Sequence, residues 1–422
     1  MGRWSLSALS VNSVIGGGIF GLPLLIAGLV GGASPLAYLI AAMGAGTIMA
    51  CFAEVGSRFT ESGGPYLYAR VAFGRLIGIQ MGWFSWLSRV AAFAANANLF
   101  VFYLAEFWPR ATEPLFRIIV LTLIVGLPAA VNYRGVKAGA QFSTILTLAK
   151  LLPLAIFVVG GIFYLIGVHN VHWSTSSHGG AIGNWLEALL LTLFAYTGFE
   201  TAVTPVGEAK DPRRDVPFAL LTTLVTCTAL YTLIQVVVIG VLPEGIKSDR
   251  PLAAAAHVFM GTGGAVLITV GALVSLYGWF GALMLSVPRV TFALAEHGDF
   301  PPLFGRVHTR FRTPHFSILG FAILVWLLAI GGNYRWNVAI SVFARLLYYG
   351  AVCVALPVLR KKQPGGAAFV LPAGPAFAVL GAGITLLLGS RMDIYQLGAV
   401  LATVSLGVVT WLWARRGKPE LV

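Results

Sequence analysis

The chain is divided almost from end to end into apolar runs of bilayer length, with polar and glycine-rich breaks between them. A membrane's hydrocarbon core takes about 20 apolar residues per helix. Such runs fall near residues 6–31, 34–57, 76–105, 116–132, 139–167, 185–206, 216–242, 263–294, 314–332, 336–359, 368–389 and 394–414. With 58% hydrophobic and only 10% charged residues, an ordinary soluble domain is excluded. Twelve predicted helices in 422 residues leave short loops, so the expectation is an all-α fold and one integral membrane domain over 1–422.

The net charge of +13 would suggest nucleic acid in a soluble protein, but here its distribution matters more. With the N-terminus taken as cytoplasmic, eighteen Lys and Arg residues fall on inner segments and six on outer ones, while Arg89, Lys150, Arg289 and Arg345 lie within or at the ends of spans. That asymmetry follows the positive-inside rule and predicts a multi-pass protein of the cell inner membrane with both termini cytoplasmic. Its environment is the lipid bilayer, and no nucleic-acid partner is expected. Arg3 before an apolar run looks like a secretory signal, but the run is too long and eleven others follow, so it is expected to remain. Leu6 stands where the myristoylation pattern needs Ser or Thr. Cys51, Cys227 and Cys353 lie in spans without paired spacing and read as core residues, with no disulfide and no metal site.

Within the first run stands Ser13-Val14-Ile15-Gly16-Gly17-Gly18-Ile19-Phe20-Gly21-Leu22-Pro23. Each Gly costs a helix about 1 kcal/mol and Pro about 3 relative to Ala. Irregular backbone at membrane depth is tolerated only where it is buried in protein or lines a cavity. The expectation is a discontinuous helix with backbone groups aimed at a ligand. The alternative is a packing face, since small residues let membrane helices approach closely, and Gly17 and Gly21 have that spacing too. Gly16-x-Gly18-x-x-Gly21 also matches the dinucleotide fingerprint by letter, but no strand precedes it, so no cofactor is expected.

The sixth run carries a second interruption, Thr192-Leu193-Phe194-Ala195-Tyr196-Thr197-Gly198-Phe199-Glu200. Breaks in runs one and six are the pattern of a secondary transporter built as an inverted five-helix repeat. The halves would be about 6–167 and 185–359, with peripheral helices at about 368–414.

Several motifs in order then resemble the amino acid–polyamine–organocation (APC) superfamily of transporters, amino acid permease branch. Gly16-Gly17-Gly18-Ile19-Phe20 with Pro23 resembles its first-helix break, and Gly198-Phe199-Glu200 its sixth-helix break. Glu54 to Arg58, with Ser62-Gly63-Gly64-Pro65-Tyr66 and Gly74, is similar to its first cytoplasmic loop. Glu208 to Ala219 is similar to the loop between helices six and seven. Arg289, Gly298-Asp299-Phe300-Pro301 and Thr313-Pro314 resemble the segment joining helices eight and nine. The likeness covers nearly the whole chain. It implies the leucine-transporter-type fold and an amino-acid substrate cradled at the first break.

On that reading the N–H groups of Gly16, Gly17 and Gly18 would face a carboxylate, helped by the positive end of the following half-helix. Carbonyls of Val14, Ile15, Phe194, Ala195 and Thr197 would accept from an ammonium group. Lys150 lies mid-way along the fifth run, where an unpaired ammonium is costly and a functional role is the default. In proton-coupled superfamily members a matching lysine takes the place of a sodium ion. Lys150 is therefore expected to contact a first-break carbonyl, that of Ile15, and to carry protons as coupling partner; the alternative is a tether that never titrates. Glu200 is either a gating and proton-sensing group or an acceptor for unwound backbone. Trp279 resembles the helix-eight aromatic that lines the pocket in the arginine–agmatine exchanger branch, and Phe93 lies near that branch's side-chain contact. Phe194, rather than Tyr196, is expected as an aromatic lid.

The sequence departs from the superfamily in three places. Gly17 stands where many members carry Ser or Thr, which removes a hydroxyl. Arg89, one turn before Phe93, would favour an acidic or strongly polar side chain if it faced the pocket; otherwise it points to a vestibule or snorkels. Arg345 has no partner by sequence, and an outer gate with Glu106 or Glu187 is expected. His169, His172 and His178 are read as solvated loop residues rather than a metal site. The expectation is alternating-access amino acid transport, proton-coupled and sodium-independent. Its rivals are an obligate exchanger and a sensor that binds without translocating. No constellation for an enzyme is present, and the oligomeric state is open.

Overall fold

The computed structural model describes residues 2–59, 63–135, 140–167, 181–200, 211–243, 245–296 and 298–417, and for 140–149, 212–213 and 415–417 the backbone path alone. Ser62, Lys137, the three histidines of 168–180 and the motif residues from 201 to 210 lie outside this set. All regular structure among the described residues is helical. Eight helical stretches there are long and apolar enough to cross a membrane, and three shorter apolar helices accompany them.

The first run is broken where its glycines and proline stand. α1 (Arg3–Val14) ends as Ile15 leaves helical geometry at φ −71°, ψ 88°. One turn, α2 (Gly18–Gly21), follows, and Leu22 keeps helical dihedrals into α3 (Pro23–Val30), whose proline occupies the first turn, where a missing N–H costs nothing. Gly31, at φ 57°, turns the chain into α4 (Ser34–Gly56).

The segment read as the first loop is in part helical. α5 (Gly64–Phe73) has Pro65 in its first turn and is separated by Gly74, at φ 95°, from α6 (Arg75–Leu104). Then come α7 (Pro114–Arg134), α8 (Ala140–Gly167), α9 (Ile182–Ala195) and α10 (Pro212–Val241). α11 (Pro251–Glu296) begins some twelve residues before the expected span because a short helix joins it across a kink at Gly261, φ 64°. α12 (His315–Gly331), α13 (Tyr334–Lys362), α14 (Gly374–Gly389) and α15 (Ile394–Gly417) complete the chain.

α6 and α13 are the most enclosed of the long helices and pack extensively on each other. α6 also touches α5, α7, α11, α12 and α15, while α1 lies along α10. Large apolar side chains such as Leu123, Leu127, Val131, Phe163, Ile166 and Leu386 point outward from α7, α8 and α14. No soluble domain presents such a perimeter; it is the surface that lipid covers.

Candidate functional site

The first break frees backbone groups, and side chains from four helices take up its carbonyls. Lys150 on α8 donates from Nζ to Asn12 O at 2.6 Å and Ile15 O at 3.0 Å. The Tyr231 hydroxyl on α10 donates to Val14 O at 3.1 Å, Tyr334 on α13 to Gly17 O at 3.4 Å, and Tyr103 on α6 to Phe20 O at 2.9 Å. The N–H groups of Gly16 and Gly17, by contrast, find no acceptor among the described residues. The break therefore has donors on most of its carbonyls and is open at the N–H groups of Gly16 and Gly17.

The second break begins where α9 stops at Ala195. Tyr196 takes φ −90°, ψ 0°, and Gly198 turns the chain at φ 106°. Thr197 donates from N (3.2 Å) and Oγ1 (2.8 Å) to Phe194 O. The two breaks meet backbone to backbone: a Cβ on Gly198 would lie 2.6 Å from Ser13 O, and one on Gly18 would lie 2.9 Å from Ala195 Cα. Glycine is required there by proximity, so part of the packing reading also holds.

A small cavity of about 60 Å³ lies between the breaks, room for a few waters. Ser13, Val14, Gly16, Gly17 and Gly18 line it from the first break and Phe194, Thr197, Gly198 and Glu200 from the second. Arg89, Ala92 and Asn96 of α6, Trp279 and Leu283 of α11, and Arg345 of α13 complete the wall. Phe194 faces the cavity, whereas Tyr196 is buried and donates its hydroxyl to Tyr38 O at 3.0 Å.

Three of the expected contact residues lie off the cavity wall. Ile15 is off this wall, because its carbonyl turns to Lys150 behind the break. Ala195 is off it as well, pressed against Gly18. Phe93 is fully buried and stacks on Phe280, ring centroids 4.5 Å apart at 16°, so it belongs to the core between α6 and α11. Lys150 reaches the expected carbonyl of Ile15 but stands behind the cavity rather than in it.

Charge on the wall is concentrated on one side. Glu200 accepts from Gly198 N at 3.0 Å, from the Tyr349 hydroxyl at 3.1 Å and from the Tyr348 hydroxyl at 3.2 Å, with Arg345 Nε 3.6 Å from Oε1. Arg345 also donates from Nη1 to Ser341 Oγ at 2.6 Å. The expected outer gate is thereby overturned: Glu106 pairs with Arg250 and Glu187 with Arg335. Arg345, within α13, and Glu200, at the second break, are both buried, and a desolvated charge takes the nearest opposite charge at its own depth. Arg89 lies on the cavity wall, donating from Nη1 to Ser85 Oγ at 2.7 Å, and no carboxylate of the described residues lies within 4 Å of it. Asn96 was missed from the sequence; its signal is an amide two turns beyond Arg89 on the same face of an apolar helix.

Known proteins match this sequence along most of its length. The sequence fits the amino acid permease family over residues 1–407. It is 29% identical over 413 residues to the methylthioribose transporter of Bacillus subtilis (strain 168), covering 92% of this chain and 87% of that protein. It is 29% identical over 407 residues to the serine/threonine exchanger SteT of the same organism, covering 91% and 89%. The chain belongs to the amino acid permease family of the APC superfamily, a multi-pass membrane transporter of small molecules and not an enzyme.

Proposed function

We propose that this permease is a secondary active transporter that carries an amino acid across the cell inner membrane by alternating access, with proton-coupled, sodium-independent uptake. The reading assigns it twelve membrane helices as an inverted five-helix repeat, halves at about 6–167 and 185–359, and cytoplasmic termini. The observation that carries it is the cavity between two broken helices, with open N–H groups at Gly16 and Gly17 and a buried lysine bonded behind the first break. Gly16, Gly17 and Gly18 take the substrate carboxylate, and the wall carbonyls for its ammonium are that of Thr197 and the second lone pair of Val14 O, whose first takes the Tyr231 hydroxyl. Phe194 and Trp279 cover the ligand, and the Arg89 guanidinium on the wall favours a substrate with an anionic or strongly polar side chain. Lys150 and Glu200 are the proton-coupling groups.

Obligate exchange is the second reading. It is favoured by the likeness to a relative named as an exchanger and by the two carbonyls that hold Lys150 as a tether. Uptake of a panel of L-amino acids into proteoliposomes, with and without an inward proton gradient and counter-substrate, separates these. Gradient-driven accumulation in empty vesicles, lost in Lys150→Gln, is the expected result. Uptake into preloaded vesicles alone means exchange, and binding without flux means a sensor. Wild-type pH dependence retained in Lys150→Gln removes the coupling role.

A further inference from the structure

Asn96 sits on α6 with 1% of its surface exposed, on the cavity wall, and among the described residues its Oδ1 has no hydrogen-bond partner. Buried amide oxygens are nearly always satisfied, so an orphan aimed into a cavity needs a reason. Gly17 supplies a second observation. A Cβ there would lie 2.0 Å from Asn96 Oδ1 and 2.8 Å from its Cγ, so the carboxamide fills the volume a side chain at 17 would need. Asn96 and the bare Gly17 are thus one arrangement: α6 supplies the polar group that position 17 lacks.

The oxygen can only accept, so the missing partner is a donor. No donor among the described residues reaches it, while the carbonyls of Val14, Ile15 and Phe194, expected to receive an ammonium, already hold Tyr231, Lys150 and Thr197. We propose that Asn96 is a substrate-binding residue whose Oδ1 accepts a hydrogen bond from the ammonium group of the bound amino acid. This inference rests on the amino-acid reading above. Ammonium at Asn96 and carboxylate at the N–H groups of Gly16 and Gly17 together fix the α-carbon beside Gly17 and leave the side chain toward Arg89, Ala92 and Trp279.

The test measures uptake kinetics and thermal unfolding of the full-length protein, using the best-carried member of an L-amino-acid panel and its analogue with hydrogen in place of the ammonium. In Asn96→Leu the KM is expected to rise about tenfold or more, the worth of a hydrogen bond to a charged group. Its ligand-free Tm should equal or exceed that of wild type, because an unsatisfied amide has been removed. Asn96→Asp keeps an acceptor and is expected to stay within about threefold of the wild-type KM. The des-amino analogue should compete poorly against wild type and no worse against Asn96→Leu. An unchanged KM in Asn96→Leu, a lowered Tm, or equal impairment of Asn96→Asp overturns the assignment while the permease reading stands. A wild type that carries no amino acid of the panel overturns that reading and this one with it.

Discussion

Arg345 and Glu200 come from different helices and are each buried, with two tyrosine hydroxyls completing the carboxylate's partners. Removing one member of such a pair strands the other charge out of water, at a cost of about 3–5 kcal/mol, whereas removing both is far milder. Arg345→Met is therefore expected to lower the thermal stability sharply, and Arg345→Met with Glu200→Gln to recover most of the loss. Equal unfolding temperatures for the single and double variants would contradict the pairing. This is also the scale at which the sequence misleads. Lys150 was legible because one charge in an apolar run needs a partner, and the resemblance to proton-coupled superfamily members pointed to the Ile15 carbonyl. Arg345 was assigned to the wrong acids because depth along the helix, not sign of charge, decides the partner. Asn96 was overlooked because its spacing from Arg89 gains meaning only from Gly17, on a different element. The stacking of Phe93 on Phe280 was not legible, because spacing alone cannot say which neighbour an aromatic meets.

At the scale of the elements, the helix breaks were legible because Gly and Pro are costly in helices and cannot be left facing lipid. What the sequence did not carry is that the breaks touch. Gly198 combines φ 106° with the approach of Ser13 O, so a side chain there meets both backbone strain and a clash. Gly198→Ala is expected to cost about 1–3 kcal/mol and to abolish uptake. Gly28→Ala, in the exposed middle of α3 with nothing within 4 Å, should be neutral or stabilise by about 0.5–1 kcal/mol. Unfolding temperatures and uptake of the two variants measure the contrast; similar values would mean that the breaks do not depend on their contact. The α5 helix went unread because Gly63, Gly64 and Gly74 mark a loop locally, yet in the fold they bound a helix packed on α6 and α13.

Across the whole molecule, one end of the bundle is held by two ionic clusters. Glu54, fully buried at the end of α4, accepts from Arg58 at 2.9 Å, from Arg360 at 2.8 and 2.6 Å, and from Leu371 N at 2.9 Å. Asp299, also fully buried, accepts from Arg70 at 2.9 Å, Arg75 at 2.7 Å and the Tyr66 hydroxyl. Lys362 joins the two by donating to Val71 O at 3.3 Å. A transporter that opens to both sides must part such contacts in one of its states. Asp299→Asn is expected to weaken this end by about 1–3 kcal/mol and to lower accumulation, read by thermal unfolding and uptake; an unchanged Tm and uptake would mean that the cluster holds nothing shut. Burial, and then the Asp299 carboxylate, push the Tyr66 phenol above its usual value. Its raised value means that its contribution is complete below about pH 10, the unfolded value, and is lost only at more alkaline pH. The tyrosine contact therefore stays intact through the physiological range.

The central claim is that the cavity between the breaks holds the amino acid. The native cysteines, Cys51, Cys227 and Cys353, are all buried, and Ser13 lies on the cavity wall, so Ser13→Cys places one thiol at the site with the least change of shape. The measurement is the rate at which a small thiol-specific reagent labels Ser13→Cys in membranes, with and without a saturating amino acid that the variant carries. Marked slowing by that amino acid, and none by one that is not carried, is the predicted result. Unchanged labelling while the variant still transports that amino acid would put the substrate elsewhere and contradict the account.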